Sequence, residues 1–424
     1  MTTEETRAVA AVPDTGPVAG SAPPPDDDVL APPVPRRAPL MLLLGLVFFF
    51  GPAVAFAGGA RPHQIENRPL TAFPSVDKGW PFLDGLNSWA NDHLPLRGKA
   101  ISANTRLSES VFGQPPQYGG STSGALGVVA PTDTGRKPGG RQYPRVVAGK
   151  DGWLFFGGDM SGACAPKASL DTTLAGLDRF TSMVQRSGRK VVFVVAPDKS
   201  TLNPDKLPSS YLGDDCMPAA KKRFWDKLTA SPPTGYVDIK SPLEALRAKG
   251  TPGVWRPSDT HWAGLGAAVY VQRVVDAIQP GLWRPSELVA TGPSQALGDL
   301  SVLLGTPKKD TLPGYDLRRP GVTVTSQTTT HLASTSTGAP LITGRTLVLG
   351  DSFTQASKPF LAAFFQDARV LHPQTAVASP GAVVNAVLGA QTVVLEIVER
   401  SVDGGDVPIT DPRFLSQLET ALRR

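Results

Sequence analysis

A histidine and a carboxylate two positions apart are the first residues that could do chemistry. They are Asp259 and His261, in the tetrapeptide Asp-Thr-His-Trp. Residues i and i+2 of an extended segment point the same way, so these two side chains can stand side by side. The carboxylate can then hold one ring N–H, which leaves the other nitrogen free to take a proton from a nucleophile. A surface turn, or a histidine capping the helix that starts near Ala263, is the alternative.

A serine that follows an apolar run is the candidate nucleophile. The run Thr346–Leu349 is partly β-branched, as a buried parallel strand is, and ends at Gly350 before a helix-compatible segment. A sharp turn there would place Ser352 at the carboxyl end of the strand, near a helix amino terminus, where α/β sheets place ligands. The Ser352 amide would supply one oxyanion donor, and Gly350 and Asp351 would support the turn. Gly-Asp-Ser alone also suits an ordinary turn.

The two motifs together predict a Ser–His–Asp triad for acyl transfer. Ser352 would attack an acyl group while His261 takes its proton and Asp259 holds the imidazole. His261 is the one histidine of five in such a context. The second oxyanion donor is not assigned.

Two more residues are weaker candidates for contact with substrate. Trp262 could stack on a sugar ring, but packing beside the histidine explains it equally well. Lys199 follows the apolar run Lys190–Ala196, whose loop should open on the same sheet edge as the serine. A solvated loop lysine is the alternative for that residue.

Several segments in order along the chain resemble a known family. Asp-Thr-His-Trp followed by Gly-Asp-Ser-Phe is similar to the SGNH-hydrolase-like domain of the alginate O-acetyltransferase family, the periplasmic AlgJ and AlgX type. The resemblance runs from about Glu66 to the C-terminus and departs at 114–142, a Gly-, Ser-, Thr- and Pro-rich insertion where a short connection is expected. The other segments that resemble the family are Glu66–Leu70, Asp92–Arg97, Gly149–Phe155 and Val398–Arg400.

The resemblance implies both a fold and an activity. The fold is an α/β layered sandwich with a mostly parallel sheet, preceded by one transmembrane helix. The activity is O-acetylation of an extracytoplasmic polysaccharide through an acetyl-serine, with a membrane-bound O-acyltransferase as the acetyl donor and no cofactor. A carbohydrate esterase would use the same triad with water as acceptor. A membrane-anchored glycan-binding or assembly protein with an idle triad is the third reading.

Composition narrows the range of partners. The formal net charge is +5, which suits anionic surfaces or polysaccharides, while the lack of a basic stripe or nucleic-acid motif disfavours nucleic acid. Cys164 and Cys216 could form a disulfide outside the cytoplasm, or stay free and buried. Neither sits at a metal-ligand spacing, so no metal site is predicted.

The chain divides into five predicted segments. Arg36 and Arg37 before an uncharged apolar run favour a membrane anchor with a cytoplasmic N-terminus and an extracytoplasmic catalytic domain. A cleaved signal peptide is the alternative. The segments are a disordered cytoplasmic tail (1–37), a transmembrane helix (38–59), a juxtamembrane helical segment (60–113), a linker (114–142) and the catalytic domain (143–424).

Alternating strands and helices are expected within the catalytic domain. Asp-Gly predicts a hairpin over Arg145–Phe156. Gly235–Ile239 is expected to be a strand and Lys358–Gln366 a helix. Between Gln279 and Gly344 the pattern is irregular, and its Ser/Thr-rich part suits strands or an exposed loop over the site, where acceptor specificity would reside.

Overall fold

The computed structural model describes residues 143–423 and a few separate positions between residues 43 and 89. The predicted tail at 1–37 and linker at 114–142 lie outside the described residues, and the predicted segments at 38–59 and 60–113 lie almost wholly outside them. None of the helices in the described part is long and apolar enough to span a membrane.

Ten strands and twelve helices form the described domain. The strands are β1 (Val146–Ala148), β2 (Leu154–Phe156), β3 (Lys190–Ala196), β4 (Leu288–Leu297), β5 (Lys309–Leu317), β6 (Val322–Gln327), β7 (His331–Ser336), β8 (Ile342–Leu349), β9 (Phe365–Leu371) and β10 (Thr392–Val398). The helices are α1 (Gly157–Cys164), α2 (Leu170–Arg186), α3 (Lys199–Leu202), α4 (Met217–Ala230), α5 (Lys240–Ala248), α6 (Gly264–Ile278), α7 (Asp299–Leu303), α8 (Ser352–Leu361), α9 (Thr375–Ala378), α10 (Pro380–Gly389), α11 (Glu399–Asp403) and α12 (Pro412–Leu422).

A six-stranded mixed sheet in the order β3-β10-β8-β9-β7-β6 is the centre of the domain. Its first four strands are parallel, and β7 and β6 are antiparallel additions. Strands β3 and β10 are buried on both faces, as their continuous Val-rich runs predict. Because β3, β8 and β10 are parallel, the loops that follow them open on one edge of the sheet.

Helices cover both faces of the sheet. Consecutive β8 residues point to opposite faces: Val348 joins a cluster with Tyr270 of α6 and Phe353 of α8. Leu347 joins the other cluster, which α2, α4, α10 and α12 close. Each fully buried side chain of this size contributes about 1.5–3 kcal/mol relative to an exposed one. The predicted α/β sandwich is therefore present, with a mixed sheet.

Three local predictions are refined by the structure. The expected strand Gly235–Ile239 is reduced to a single bridge between Tyr236 and Phe193, because Asp238 turns the chain out of the sheet by accepting from the first backbone N–H groups of α5. The helix expected at Lys358–Gln366 begins earlier and ends at Leu361. The hairpin over Arg145–Phe156 is confirmed as β1 and β2.

The irregular region before β8 contains two antiparallel hairpins. Strands β4 and β5 form a separate two-stranded sheet, and β6 and β7 extend the central one. The Ser/Thr-rich run is therefore strand, one of the two alternatives that the sequence left open. The β4–β5 hairpin reaches the sheet edge that carries the candidate site.

A disulfide joins Cys164 at the end of α1 to Cys216 just before α4, across 52 residues of sequence. The pairing alternative for the two cysteines is thus the one present. Because a cross-link restricts the unfolded chain, closing a loop of this size is worth about 2–4 kcal/mol.

Replacing both cysteines by serine should lower the free energy of unfolding by about 2–4 kcal/mol. Urea denaturation followed by circular dichroism measures this loss. A reductant should produce a similar loss in the parent protein and none in the double variant. Equal urea midpoints for the two proteins would show that the disulfide does not stabilise the fold.

Candidate active site

The Asp-x-His segment has the geometry that an extended pair predicts. Asp259 Oδ1 lies 2.9 Å from His261 Nδ1 and accepts the backbone N–H of the same histidine at 2.8 Å. The carboxylate therefore holds the Nδ1–H tautomer. On the far side of the ring, Nε2 is buried and has no hydrogen-bond partner among the described residues. A ring in this state has a nitrogen free to accept a proton.

Buried charged groups hold the loop that carries this pair. The Lys199 ammonium donates to the carbonyl oxygens of Arg256, Pro257 and Asp259 at 3.2, 3.0 and 2.5 Å. Only 2% of Lys199 is exposed, so it is not the solvated loop lysine that the sequence left as an alternative. Its ammonium N–H groups face backbone carbonyl oxygens. Burial lowers the pKa of Lys199 to about 8, against the opposing charge of Asp259. The lysine therefore holds the loop in place through its carbonyl groups.

A second carboxylate fixes the same loop from the β4–β5 hairpin. Asp310 of β5 accepts from the backbone N–H and the hydroxyl of Ser258, at 2.8 and 2.7 Å. Both partners are buried. The backbone just before the Asp-x-His pair is therefore anchored to the hairpin.

Trp262 is part of the core. Its indole N–H donates to Ser357 Oγ at 2.8 Å, and its ring stacks on Tyr270 at 5.2 Å between centroids. Only 3% of the side chain is exposed. The packing alternative describes this tryptophan better than sugar stacking does.

The turn from β8 into α8 positions the candidate nucleophile. Asp351 caps the helix: its Oδ1 accepts from the Phe353 N–H at 2.9 Å, and its Oδ2 accepts from the Val398 N–H at 2.8 Å. A Cβ on Gly350 would lie 2.1 Å from Thr354 Oγ1. Glycine is therefore required here for close approach of the helix, and not for a left-handed backbone.

The amide N–H of Ser352 is left without an acceptor among the described residues. The N–H groups of Asp351 and Thr354 bond to Glu396 Oε2 at 3.1 and 3.3 Å, and that of Gln355 bonds to the Asp351 carbonyl at 3.2 Å. The first N–H groups of a helix have no intrahelical partner and favour anions. The remaining Ser352 N–H thus suits an oxyanion.

The two motifs come together at the carboxyl edge of the sheet. The ring of Phe353, the residue after the serine, lies 5.1 Å from the His261 ring. Because His261 Nε2 has no partner within the described part of the chain, the Ser352 hydroxyl is not hydrogen-bonded to it in this structure. Catalytic hydrogen bonds often tighten only when substrate is bound.

The charges around His261 favour its protonated form. Burial lowers its pKa, but the hydrogen bond to Asp259 and the charges of Asp259 and Asp299 outweigh burial, so the pKa is raised above 6.5. Burial opposes the shift of Asp259 too, yet the histidine lowers the pKa of that carboxyl. Ligand atoms of Asp259, His261 and Asp299 lie within 4.8 Å of one another, close enough to hold a cation. The 2.9 Å contact is already a hydrogen bond, so we assign the group to proton handling.

Arg400 lies near the site, although the sequence motifs did not indicate it as a site residue. Its guanidinium lies 5.5 Å from the Phe353 ring and 3.0 Å from Asp198 Oδ1. Asp198 also accepts from Lys221 at 2.8 Å, and Lys221 bonds to Glu399 at 3.0 Å. The only sequence signal for this buried network was the Val-Glu-Arg segment after β10.

A cleft of about 300 Å³ lies beside the Asp-x-His pair. Ala356 and Pro359 of α8 line it. Ser352 lies four and seven residues before them, on the same side of the helix, but does not itself line the cleft. The β4–β5 hairpin closes the other side with Ser294 and Tyr315. A ligand in this cleft would lie between the β4–β5 hairpin and α8, the helix that begins at Ser352.

A mixed sheet flanked by helices, with a serine at a strand-to-helix turn and an Asp-x-His loop at the same edge, defines an SGNH-hydrolase-like α/β domain. Residues 146–378, more than half of the chain, match the family model described as SGNH hydrolase-like domain, acetyltransferase AlgX. The chain belongs to this family.

Curated relatives and solved structures carry related names. "Probable alginate O-acetylase AlgJ" of Pseudomonas putida is 25% identical over 138 residues, 32% of this chain and 34% of the relative. Its Pseudomonas aeruginosa counterpart is 31% identical over 132 residues, 31% and 32% of the two chains. The match thus spans about a third of the length of these relatives.

Two solved structures are also similar to this chain. The O-acetyltransferase domain of Pseudomonas putida AlgJ is 20% identical at a TM-score of 0.43, covering 65% of this chain and 98% of that one. Bacillus cereus PatB1 with a sulfonyl adduct is 15% identical at a TM-score of 0.45, covering 63% and 97%.

The buried Glu396 supports the turn that carries Ser352. Burial, and then the charge of Asp351, raise its pKa well above 4.5. A raised folded-state pKa stabilises the protein fully in acid, and this stability is lost as pH rises through that pKa.

Replacing Glu396 by glutamine should keep the acceptor for the turn and, below pH 4.5, change the free energy of unfolding by less than about 1 kcal/mol. Alanine should cost about 3 kcal/mol, because two buried N–H groups lose their acceptor. Urea denaturation at several pH values measures both effects. The glutamine variant should lose stability less steeply above pH 4.5 than the parent does. A glutamine variant that lost stability as steeply as the parent does above pH 4.5 would contradict the raised pKa of Glu396.

Proposed function

We propose that this domain is an O-acetyltransferase that moves an acetyl group through Ser352 onto a polysaccharide hydroxyl. One observation carries the proposal. A buried imidazole, held by Asp259 at 2.9 Å, has an Nε2 with no hydrogen-bond partner in the described part of the chain. It lies at the same sheet edge as Ser352, whose amide has no acceptor among those residues either. Base, nucleophile and oxyanion donor are the groups that acyl transfer needs.

The first half-reaction loads the serine. His261 Nε2 takes the hydroxyl proton of Ser352, and the oxygen attacks the acetyl carbonyl carbon of the donor. The resulting oxyanion lies against the Ser352 N–H. Collapse of this intermediate breaks the donor's acyl bond, and the imidazolium returns its proton to the leaving group.

The second half-reaction removes the acetyl group from the serine by the same route. A sugar hydroxyl gives its proton to Nε2 and attacks the acetyl carbon. Serine leaves and regains the proton from the imidazolium. Asp259 supports the charged ring in both steps. Water in place of the sugar would give an esterase, which is the competing function.

The acceptor class follows from the family and the cleft. Relatives are named as probable alginate O-acetylases, so alginate is the first polymer to test. The cleft between the β4–β5 hairpin and α8 is the proposed acceptor site, with the half-buried Tyr315 as its sugar-facing ring.

The setting of the reaction is also part of the proposal. The apolar segment 38–59 would anchor the chain in the cell membrane, with the catalytic domain outside the cytoplasm and a membrane-bound O-acyltransferase as donor. The Cys164–Cys216 disulfide supports an extracytoplasmic domain, because disulfides persist in oxidising compartments.

Incubation of the purified protein with p-nitrophenyl acetate should place one acetyl group on Ser352, detected by peptide mass spectrometry. Ser352→Ala should abolish the adduct and slow turnover at least ~1000-fold, as removal of a triad member does. Ser416→Ala, which removes an exposed hydroxyl on α12, is the matched control.

Alginate oligosaccharides then separate the competing functions. Acetylated glycan supports the transferase, whereas product formation from water alone, unaffected by glycan, supports the esterase. A protein with no adduct and no turnover would be a non-catalytic binder, and the proposed function would be wrong.

Tyr315→Ala should raise KM for the glycan acceptor roughly two- to tenfold, because loss of one ring contact is worth about 0.5–1.5 kcal/mol. Hydrolysis of the acetyl ester without glycan should change little, since the ring lies on the acceptor side. Tyr315→Phe keeps the ring and should keep KM. Initial rates at varied glycan concentration measure the split, and an unchanged KM in the alanine variant would move the acceptor elsewhere.

A further inference from the structure

Asp299 places a second carboxylate at the candidate base. It is the first residue of α7, directly after the β4–β5 hairpin's first strand, and lies 40 residues from Asp259 in sequence. Its Oδ2 lies 3.6 Å from His261 Nδ1, on the same side of the ring as Asp259. No sequence motif marked it.

We propose that Asp299 is a positioning residue that sets the basicity of His261. Asp259 makes the hydrogen bond to Nδ1 and fixes the tautomer, while Asp299 adds a second negative charge beside the same nitrogen. Two negative charges near the ring favour the imidazolium that forms whenever Nε2 takes a proton. For catalysis this inference rests on the proposed function, but the charge effect on the ring exists without it.

The carboxylate is locked in place by the loop it faces. Asp299 Oδ1 accepts the Thr260 N–H at 2.7 Å, and the Asp299 N–H donates to Asp259 Oδ2 at 3.3 Å. The two aspartates and the backbone between them thus form a closed hydrogen-bonded ring. Only 16% of the Asp299 side chain is exposed, so water screens its charge weakly.

A glycine lets the hairpin come this close. A Cβ on Gly298, the residue before Asp299, would lie 2.2 Å from both the carbonyl oxygen and the hydroxyl of Ser258. A side chain there would push α7 away from the Asp-x-His loop. The approach of Asp299 to the imidazole is therefore built into the backbone contact.

Other charged groups near Asp259 and His261 also act on the proton affinity of the imidazole. The ammonium of Lys199 on α3 faces both aspartates, and Asp310 of β5 lies beyond it. Arg400 on α11 opposes protonation of the histidine. The Asp259 carboxylate raises the proton affinity of the imidazole and the Arg400 guanidinium lowers it. The negative charge of Asp299 offsets the effect of the guanidinium.

The test is the titration of His261 in the full-length protein, followed by NMR of its imidazole carbons. His261→Gln identifies the resonance by its loss. Asp299→Asn keeps an oxygen for the Thr260 N–H and removes the charge, so the midpoint should fall by roughly 0.5 to 1 pH unit. Asp310→Asn is the matched control: it removes a charge that holds the same loop without facing the ring and should leave the midpoint in place.

An unchanged midpoint in a folded Asp299→Asn protein would overturn the proposal. The titration requires no turnover, so it remains decisive if the proposed acetyl transfer is wrong. Circular dichroism and the urea midpoint establish that the variant is folded. Should the asparagine variant not fold, Asp299→Ser gives the same readout with a smaller neutral side chain.

Kinetics give a second arm when the protein turns over. In Asp299→Asn the acid limb of the kcat/KM profile should move to lower pH, with KM for glycan unchanged. Asp259→Asn should retain about tenfold more activity than Asp259→Asn combined with Asp299→Asn, because one carboxylate still faces the ring. Equal activity of the single and double variants would show that Asp299 contributes nothing.

Discussion

The hydrogen bond between Asp259 and His261 is the contact on which the rest of the site depends. It forms because both side chains leave an extended backbone on one side, and it selects the tautomer that frees Nε2. Such a short loop would not keep that shape by itself. Lys199 donates to three carbonyl oxygens of the loop and Asp310 accepts the N–H of Ser258, so a cation and an anion hold the same stretch of backbone.

Burying these charges is costly, and the fold offsets the cost by pairing. Lys221 lies between Asp198 and Glu399, and Arg400 bonds to Asp198. Asp198 follows β3, and Glu399 and Arg400 follow β10, so these three groups gather at the carboxyl edge of the sheet, where Lys221 of α4 joins them. Replacing buried ion pairs by apolar residues is often neutral or stabilising in proteins, which points to a role in shaping this edge rather than in stability.

The sequence was most informative where a period or a turn residue determines local structure. The strands Lys190–Ala196 and Thr346–Leu349 were predicted from apolar runs, and the side-by-side geometry of the Asp-x-His pair from the two-residue period of a strand. Those features depend on neighbours in the chain.

Residues that act across the fold left no such trace. Asp299 reaches the imidazole from 38 residues beyond it, through a hairpin whose position follows from sheet order. Lys199 appeared as a loop lysine because burial of a charge depends on carbonyl groups that lie 57 to 60 residues away. Gly235–Ile239 was expected to be a strand from its composition, but the capping of α5 by Asp238 prevails over its strand preference.

The β4–β5 hairpin connects the proposed acceptor cleft with the carboxylates around the candidate base. Pro313, Gly314 and Tyr315 line the cleft, Asp310 anchors the loop before the histidine, and Asp299 follows directly after β4. A glycan that displaced this hairpin would therefore also move the Asp299 carboxylate relative to the imidazole. Because Coulomb energy rises steeply at short distance in a buried site, a small displacement would alter the proton affinity of Nε2. The segment that lines the proposed acceptor cleft is thus placed to make the candidate base respond to a bound glycan.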